Sequence, residues 1–289
     1  MGTSAIIPSE GIAWIAGGAT HIGTDRPLIK ADGEGPVRKL RIKPYGIAKW
    51  ATTNGAFADF AADTGYVTDA ERLGWSFMFR GLQDVDEGSP SRDLPWWNAV
   101  NGASWKAPTG PGSDWQGLAS HPVVHVSLND ARAYAAWVGG RLPTEAEWEH
   151  AARGGNHKAR YPWGEAEPDD ENAELCNIWQ GKFPDHNTCA DGYYGTAPAQ
   201  SFPANAYGIF NMAGNVWEWC ADPFRIRSLA RAAKERNQKA KADQEFVLKG
   251  GSFLCHASYC GRYRIAARSG RQMDNSTINC GFRVAFDQK

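Results

Sequence analysis

No apolar run in the 289 residues approaches the ~20 that a membrane-spanning helix requires, which argues against a helical integral membrane protein. Charge of one sign is also missing: 31 Lys+Arg stand against 32 Asp+Glu, a formal charge of −1. No overall field draws the chain to nucleic acid or to an anionic membrane, and neither is expected as a partner. The opening Met1-Gly2-Thr3-Ser4-Ala5-Ile6 lacks the basic-then-apolar order of an export signal, and Ile6 stands where a myristoylation signal needs Ser or Thr. The expectation is a cytoplasmic monomer. Six cysteines are too few for a disulfide scaffold, and no internal repeat is present, which removes solenoids and propellers.

Trp, Gly and Pro are abundant instead, at 13, 32 and 16. Few stretches carry helical periodicity, so the reading is an α+β, loop-rich single domain over 1–289. Such a fold must satisfy many backbone groups outside helices and sheets, with turns, side-chain bonds and bound cations, which makes structural calcium an expectation. Residues 11–24 and 37–47 read as a small β layer, the second as an edge strand. Thr53-Asn54 opens a helix that Gly65 stops; Ser127 or Asn129 caps another that ends at Gly139-Gly140. Thr144 with Glu147 forms a capping box for a third, stopped by Gly154-Gly155. His121 to Ser127 reads as a buried strand. The loop 81–117 is anchored by Pro95-Trp96-Trp97. Residues 225–245, rich in Lys and Arg without Gly or Pro, read as an exposed insertion, helical or mobile.

The chemistry-bearing segment is Gly250-Gly251-Ser252-Phe253-Leu254-Cys255-His256-Ala257-Ser258-Tyr259-Cys260. Thiols five residues apart face opposite sides of a strand and lie far apart round a helix, so only an irregular loop unites them. Three readings stay open: thiols that never meet, a disulfide, and a two-thiolate site for a soft metal such as Cu(I). Two oxygen-rich segments resemble hard-cation sites, Asn177-Ile178-Trp179-Gln180-Gly181 with Asp191-Gly192-Tyr193, and Asn211-Met212-Ala213-Gly214-Asn215-Val216-Trp217-Glu218. Cys176, Cys189, Cys220 and Cys280 carry no assigned role.

Arg141-Leu142-Pro143-Thr144-Glu145-Ala146-Glu147-Trp148-Glu149, Pro162-Trp163-Gly164, Tyr207-Gly208-Ile209-Phe210-Asn211-Met212, Gly214-Asn215-Val216-Trp217-Glu218-Trp219, Gly250-Gly251-Ser252-Phe253 and Gly281-Phe282-Arg283 follow one another as in the formylglycine-generating enzymes, the sulfatase-modifying factors. The chain resembles that family over roughly 17–286. The loop from Cys255 to Cys260, the segment Asn177 to Gly181 and the stretch from Asp274 to Cys280 resemble its active members more narrowly. The resemblance implies a variant C-type-lectin-like fold, two structural Ca2+ ions and oxidation of a substrate cysteine to Cα-formylglycine with O2 as co-substrate. It implies Cys255 and Cys260 as the Cu(I) pair, with Ser252, Tyr259 and Trp217 lining the pocket. For calcium it implies Asn177, Ile178, Asp191 and Tyr193 at one site, and Asn211, Gly214, Val216 and Glu218 at the other.

Three positions depart from the family pattern. Ala51 and Trp75 stand where the family carries acids that resemble partners of the arginine in a Cys-x-Pro-x-Arg substrate, and Ala257 replaces an arginine. The expected activity is a copper-dependent oxidase acting on a cysteine of a protein or peptide, by default a sulfatase. A related copper thiol oxidase with a non-sulfatase substrate is the alternative, and a non-catalytic lectin-like binding protein the third.

Overall fold

Turn-rich sequence yields short strands. The computed structural model describes residues 9–82, 89–90 and 94–288. Its strands are β1 (Ile12–Ile15), β2 (Gly18–Ile22), β3 (Arg38–Ile42), β4 (Tyr45–Ala48), β5 (Trp75–Phe79), β6 (Ser89–Pro90), β7 (Trp97–Asn101), β8 (Gly181–Lys182), β9 (His186–Asn187), β10 (Trp217–Pro223), β11 (Glu245–Lys249), β12 (Ser269–Gln272), β13 (Cys280–Gly281) and β14 (Ala285–Asp287). They form five small sheets, ordered β1-β4-β14, β12-β11-β10-β13, β2-β3, β5-β7-β6 and β8-β9. The first sheet ties the beginning of the described chain to its end, since Ile47 pairs with both Ala13 and Ala285. Residues 83–88 and 91–93 of the long loop, and the opening Met1 to Pro8, lie outside the described residues.

The helices follow their local signals. They are α1 (Asn54–Thr64), α2 (Asp69–Leu73), α3 (Leu128–Trp137), α4 (Glu145–Arg153) and α5 (Arg231–Ala242). Thr53 Oγ1 accepts from Ala56 N, and Gly65 closes α1 in the left-handed conformation that glycine adopts without a Cβ penalty. Capping boxes start α2, α3 and α4 at Thr68, Ser127 and Thr144. No helix among the described residues is long and apolar enough to cross a membrane.

Three expectations need correction or refinement. The 37–47 edge strand is two strands broken before Pro44, whose ring removes a donor; β4 is the fully buried centre of its sheet. The segment from His121 to Ser127 is buried but makes no ladder. Its donors go to separate loops, Val123 N to Thr52 O and His125 N to Thr277 O, and His125 has a φ of 56°, which no strand residue adopts. The 225–245 insertion is an ordered helix: α5 buries Ala233 and Ala240 in a cluster with Phe224 and Ile226. Arg236 clamps Glu245 with both Nη groups and lies 4.6 Å over the Phe224 ring. α5 therefore serves as the packed connection between the antiparallel neighbours β10 and β11.

Candidate active site

Gly250 and Gly251 leave β11 with φ of 92° and 72°. A Cβ on Gly251 would meet Arg262 O and Tyr263 N at 3.0 Å, so only glycine passes there. The loop that follows is wound around one carbonyl. His256 O accepts from Tyr259 N, Cys260 N and Gly261 N at 3.0, 2.9 and 3.1 Å. That turn brings the Cα atoms of Cys255 and Cys260 to 5.5 Å and joins their sulfurs as a disulfide, with both residues buried. Of the three readings of this pair, separated thiols drop out. The disulfide is the form observed, and the two-thiolate form is one two-electron reduction away.

The pair forms the floor of a cleft of about 180 Å3. Trp217, the first residue of β10, and Ser252 line it with the cysteines, and Tyr259 stands in the wall. Ser252 Oγ accepts from Asn279 Nδ2 at 2.9 Å and from Leu254 N at 3.3 Å, so its own O–H has no acceptor among the described residues. Asn279 is oriented from its other end, where Oδ1 accepts the Thr277 hydroxyl at 2.8 Å. Tyr259 stacks on Phe183 with centroids 4.4 Å apart and meets Trp96 edge-on at 5.1 Å. The three half-buried rings form one aromatic wall beside the cysteine pair.

Cys255, Cys260, Ser252, Tyr259 and Trp217 thus come together. The three departures do not line this cleft. Ala51 is buried in the core, and Ala257 is exposed beside a separate cavity with Asp169, Asp170 and Glu171. Trp75 stands one contact away, its ring 4.9 Å edge-on to the cleft residue Phe77. Sequence reasoning missed Asn279, Phe183, Arg262 and Arg271 as lining residues. Asn279 lies inside the stretch from Asp274 to Cys280; the others carry no local signal.

Behind the wall, His125 is fully buried, its Nε2–H donating to Pro108 O at 3.0 Å while Nδ1 meets Ser76 Oγ at 2.7 Å. Ser76 in turn meets Ser276 Oγ at 2.7 Å, which ties together the two segments that supply Phe77 and Thr277. Burial pulls the His125 pKa from 6.5 down to about 4. The folded state holds the neutral ring, so its stabilisation is complete above pH 6.5 and is lost as pH falls toward 4, by about 3 kcal/mol. Asp130, pushed up to about 6 by burial, works in the opposite direction. The expected result is therefore a difference: urea unfolding of wild type should lose more stability across that interval than His125→Gln. Equal losses in the two proteins would remove His125 from the acid response.

The oxygen-rich segments carry a different signature. Asn177 Nδ2 is spent on Gly195 O and Asn215 Oδ1, which turns its Oδ1 toward no partner; Asp191 Oδ2 is likewise buried and unpaired among the described residues. Asn211 repeats the pattern, with Nδ2 on Pro198 O and Ala199 O and Oδ1 orphaned. Buried oxygens without donors are what a hard cation satisfies. Glu218 has principal partners that sequence reasoning did not assign: Arg283 bonds both of its carboxylate oxygens at 2.6 and 2.7 Å, and Trp148 Nε1 donates to Oε2 at 2.7 Å. One lone-pair direction on Oε1 is left over.

Fold and cleft together define a class: a loop-rich α+β domain presenting a cysteine pair to a peptide-sized recess. Residues 2–288 match the family described as sulfatase-modifying factor enzyme 1-like domain, and the chain belongs to that family. It is similar to the formylglycine-generating enzyme of Thermomonospora curvata, 51% identical over 288 residues that span 96% of this chain and 94% of that one. It is also similar to the formylglycine-generating enzyme of Mus musculus, at 44% identity over 94% of this chain and 74% of that one. The inactive C-alpha-formylglycine-generating enzyme 2 of Bos taurus is 41% identical, covering 94% and 86%. Among solved structures, PvdO from Pseudomonas aeruginosa superposes with a TM-score of 0.61 at 22% identity over 96% of this chain and 94% of that one, a likeness of fold.

Proposed function

We propose that this chain is a formylglycine-generating oxidase that converts a cysteine of a protein or peptide to Cα-formylglycine with O2 and Cu(I), sulfatase activation being the default. The single observation that carries the reading is the cysteine pair, with both sulfurs in contact on the floor of a cleft lined by Ser252, Trp217 and Tyr259. Once reduced, Cys255 and Cys260 offer two soft donors and no third, a set suited to Cu(I) rather than to closed zinc coordination. Bound copper would supply O2 activation and an open position for a substrate thiolate. The chain's own residues do the rest. Asn279 fixes Ser252 so that its unspent O–H can donate to a substrate atom above the floor, and the Tyr259, Phe183 and Trp96 wall offers apolar surface against which a substrate peptide would pack.

In balance, the substrate cysteine gives two electrons and two protons to O2, which leaves as hydrogen peroxide or, with two further electrons and protons from an added thiol reductant, as water; the thioaldehyde so formed is converted by water to the aldehyde with release of sulfide. Sulfide release that tracks oxygen consumption with a cysteine peptide, and is absent with the matching serine peptide, is the expected result. Oxygen consumption without sulfide would leave only ordinary thiol oxidation. We place the protein in the cytoplasm as a monomer, where the thiol pool would supply the two electrons that keep the pair reduced. The alternative substrate, a non-sulfatase cysteine peptide, rests on the departure of Ala51 and Trp75 from the family's acids, two positions that carry no carboxylate and stand outside the cleft lining. The 41% identity to a relative named inactive shows that family membership alone does not establish turnover, and a binding role is what a silent assay would leave.

Calcium belongs to the same proposal. The orphaned Oδ1 atoms of Asn177 and Asn211 and Oδ2 of Asp191 fit two Ca2+ ions, with Ile178, Tyr193, Gly214 and Val216 supplying carbonyls and Glu218 its remaining lone pair. A cation bound only by the folded state stabilises it, by about 2.7 kcal/mol at a hundredfold excess over Kd. Chelation should therefore lower Tm by several degrees, reversibly on adding Ca2+. An unchanged melting curve after verified calcium removal would leave both segments as turns.

A further inference from the structure

Among the described residues, the cleft above the cysteine pair is lined by charge of one sign. Among the described residues lining it, the charged side chains are Arg262 and Arg271, and no Asp or Glu joins them. Arg271, half-buried on β12, donates from Nη1 to the neutral Asn275 Oδ1 at 3.2 Å and pairs with no carboxylate among the described residues. Arg262 spends only its Nε, on Asp32 Oδ2 at 2.5 Å, which keeps both Nη groups available. Opposite them stands the wall of Trp96, Phe183 and Tyr259. Arg262 is already paired with Asp32, so Arg271 is the half-buried guanidinium without a carboxylate partner, and such a group forms a strong, often bidentate bond with an arriving carboxylate, whereas an arriving cation is repelled.

We infer that this cleft selects peptides carrying an Asp or Glu side chain close to the reactive cysteine, with Arg271 the specificity-determining residue and Arg262 its support. The inference rests on the reading of the cleft as the seat of a cysteine peptide.

The test is a peptide set of one sequence in which each position flanking the cysteine is in turn Asp, Asn or Arg. At one position or more, Asp is expected to exceed Asn in kcat/KM by about ten- to a hundredfold, with Arg below Asn and the ratio shrinking as salt rises. Arg271→Gln should collapse the Asp-to-Asn ratio, whatever loss both peptides share, and Arg271→Lys should retain part of it. Asp-to-Asn ratios within about twofold at every position, or a ratio that survives Arg271→Gln, would overturn the inference. The same peptides with Ser in place of Cys, labelled and titrated by fluorescence anisotropy, separate the two readings. Acid preference in binding without turnover sustains this inference and sinks the oxidase reading; turnover without preference does the reverse.

Discussion

Cys255→Ser and Cys260→Ser are each expected to lose stoichiometric Cu(I) binding and to reduce turnover to background, while Cys189→Ser retains both. Two thiolates hold a soft monovalent ion where one does not, because serine oxygen is a hard donor with no affinity to replace the lost sulfur. The geometry makes the pair interdependent: both thiols hang from a turn closed on His256 O, with Cα atoms 5.5 Å apart. Cys189 lies on another loop, half-exposed, and does not line the cleft. The serine variants should fold, since a bridge over so short a loop constrains the unfolded chain little. Near-equal Tm values under reducing conditions will show that the loss belongs to the site. Full oxygen-dependent turnover in either variant would refute the copper-pair assignment.

Arg283→Met should cost about 3–5 kcal/mol and lower Tm on the order of 10 °C, the largest stability effect expected of a single substitution here. Arg283 has no solvent exposure and Glu218 only 1%. Besides its two bonds to Glu218, the guanidinium reaches the carbonyls of Ala48, Lys49 and Phe210 at 3.2, 3.3 and 3.0 Å. Methionine fills part of the volume but leaves a buried carboxylate with only the Trp148 Nε1–H and takes a donor from three carbonyls, of which Lys49 O keeps the Phe210 N–H. Adding Glu218→Gln removes the stranded charge, so the double variant should regain part of the loss. A fall of less than about 2 °C for Arg283→Met would show that the pair is solvated or dispensable.

What the sequence disclosed and what it hid divide by range. Helix starts were legible because a cap and its partner lie three residues apart, as Thr144 and Glu147 do. The cysteine loop was legible because Gly250-Gly251 signals irregular backbone, but the meeting of its thiols depends on three N–H groups sharing one carbonyl, which spacing does not encode. Apolar runs misled where burial mimics a strand: His121 to Ser127 is buried by loops, not paired in a sheet, and a left-handed His125 leaves no trace in hydrophobic pattern. The polar side of the cleft was the hardest part to foresee. Ser252 and Asn279 are 27 residues apart, and Arg271 reaches the site only through the register of β12 on β11; the buried pair Glu218 and Arg283, outside the cleft, is 65 residues apart.

The most direct measurement is mass spectrometry of two cysteine peptides, a Cys-x-Pro-x-Arg sequence and the same sequence with Asp in place of its Arg, after incubation in air with a thiol reductant and protein that has been reduced and loaded with one equivalent of Cu(I). The expected product has lost the cysteine sulfur and gained an aldehyde that reacts with a hydrazide, and it is absent without copper and absent with Cys260→Ser. Both peptides emerging unchanged, or only as disulfides, from wild-type protein carrying stoichiometric Cu(I) would contradict the assignment of this cleft as a formylglycine-forming site.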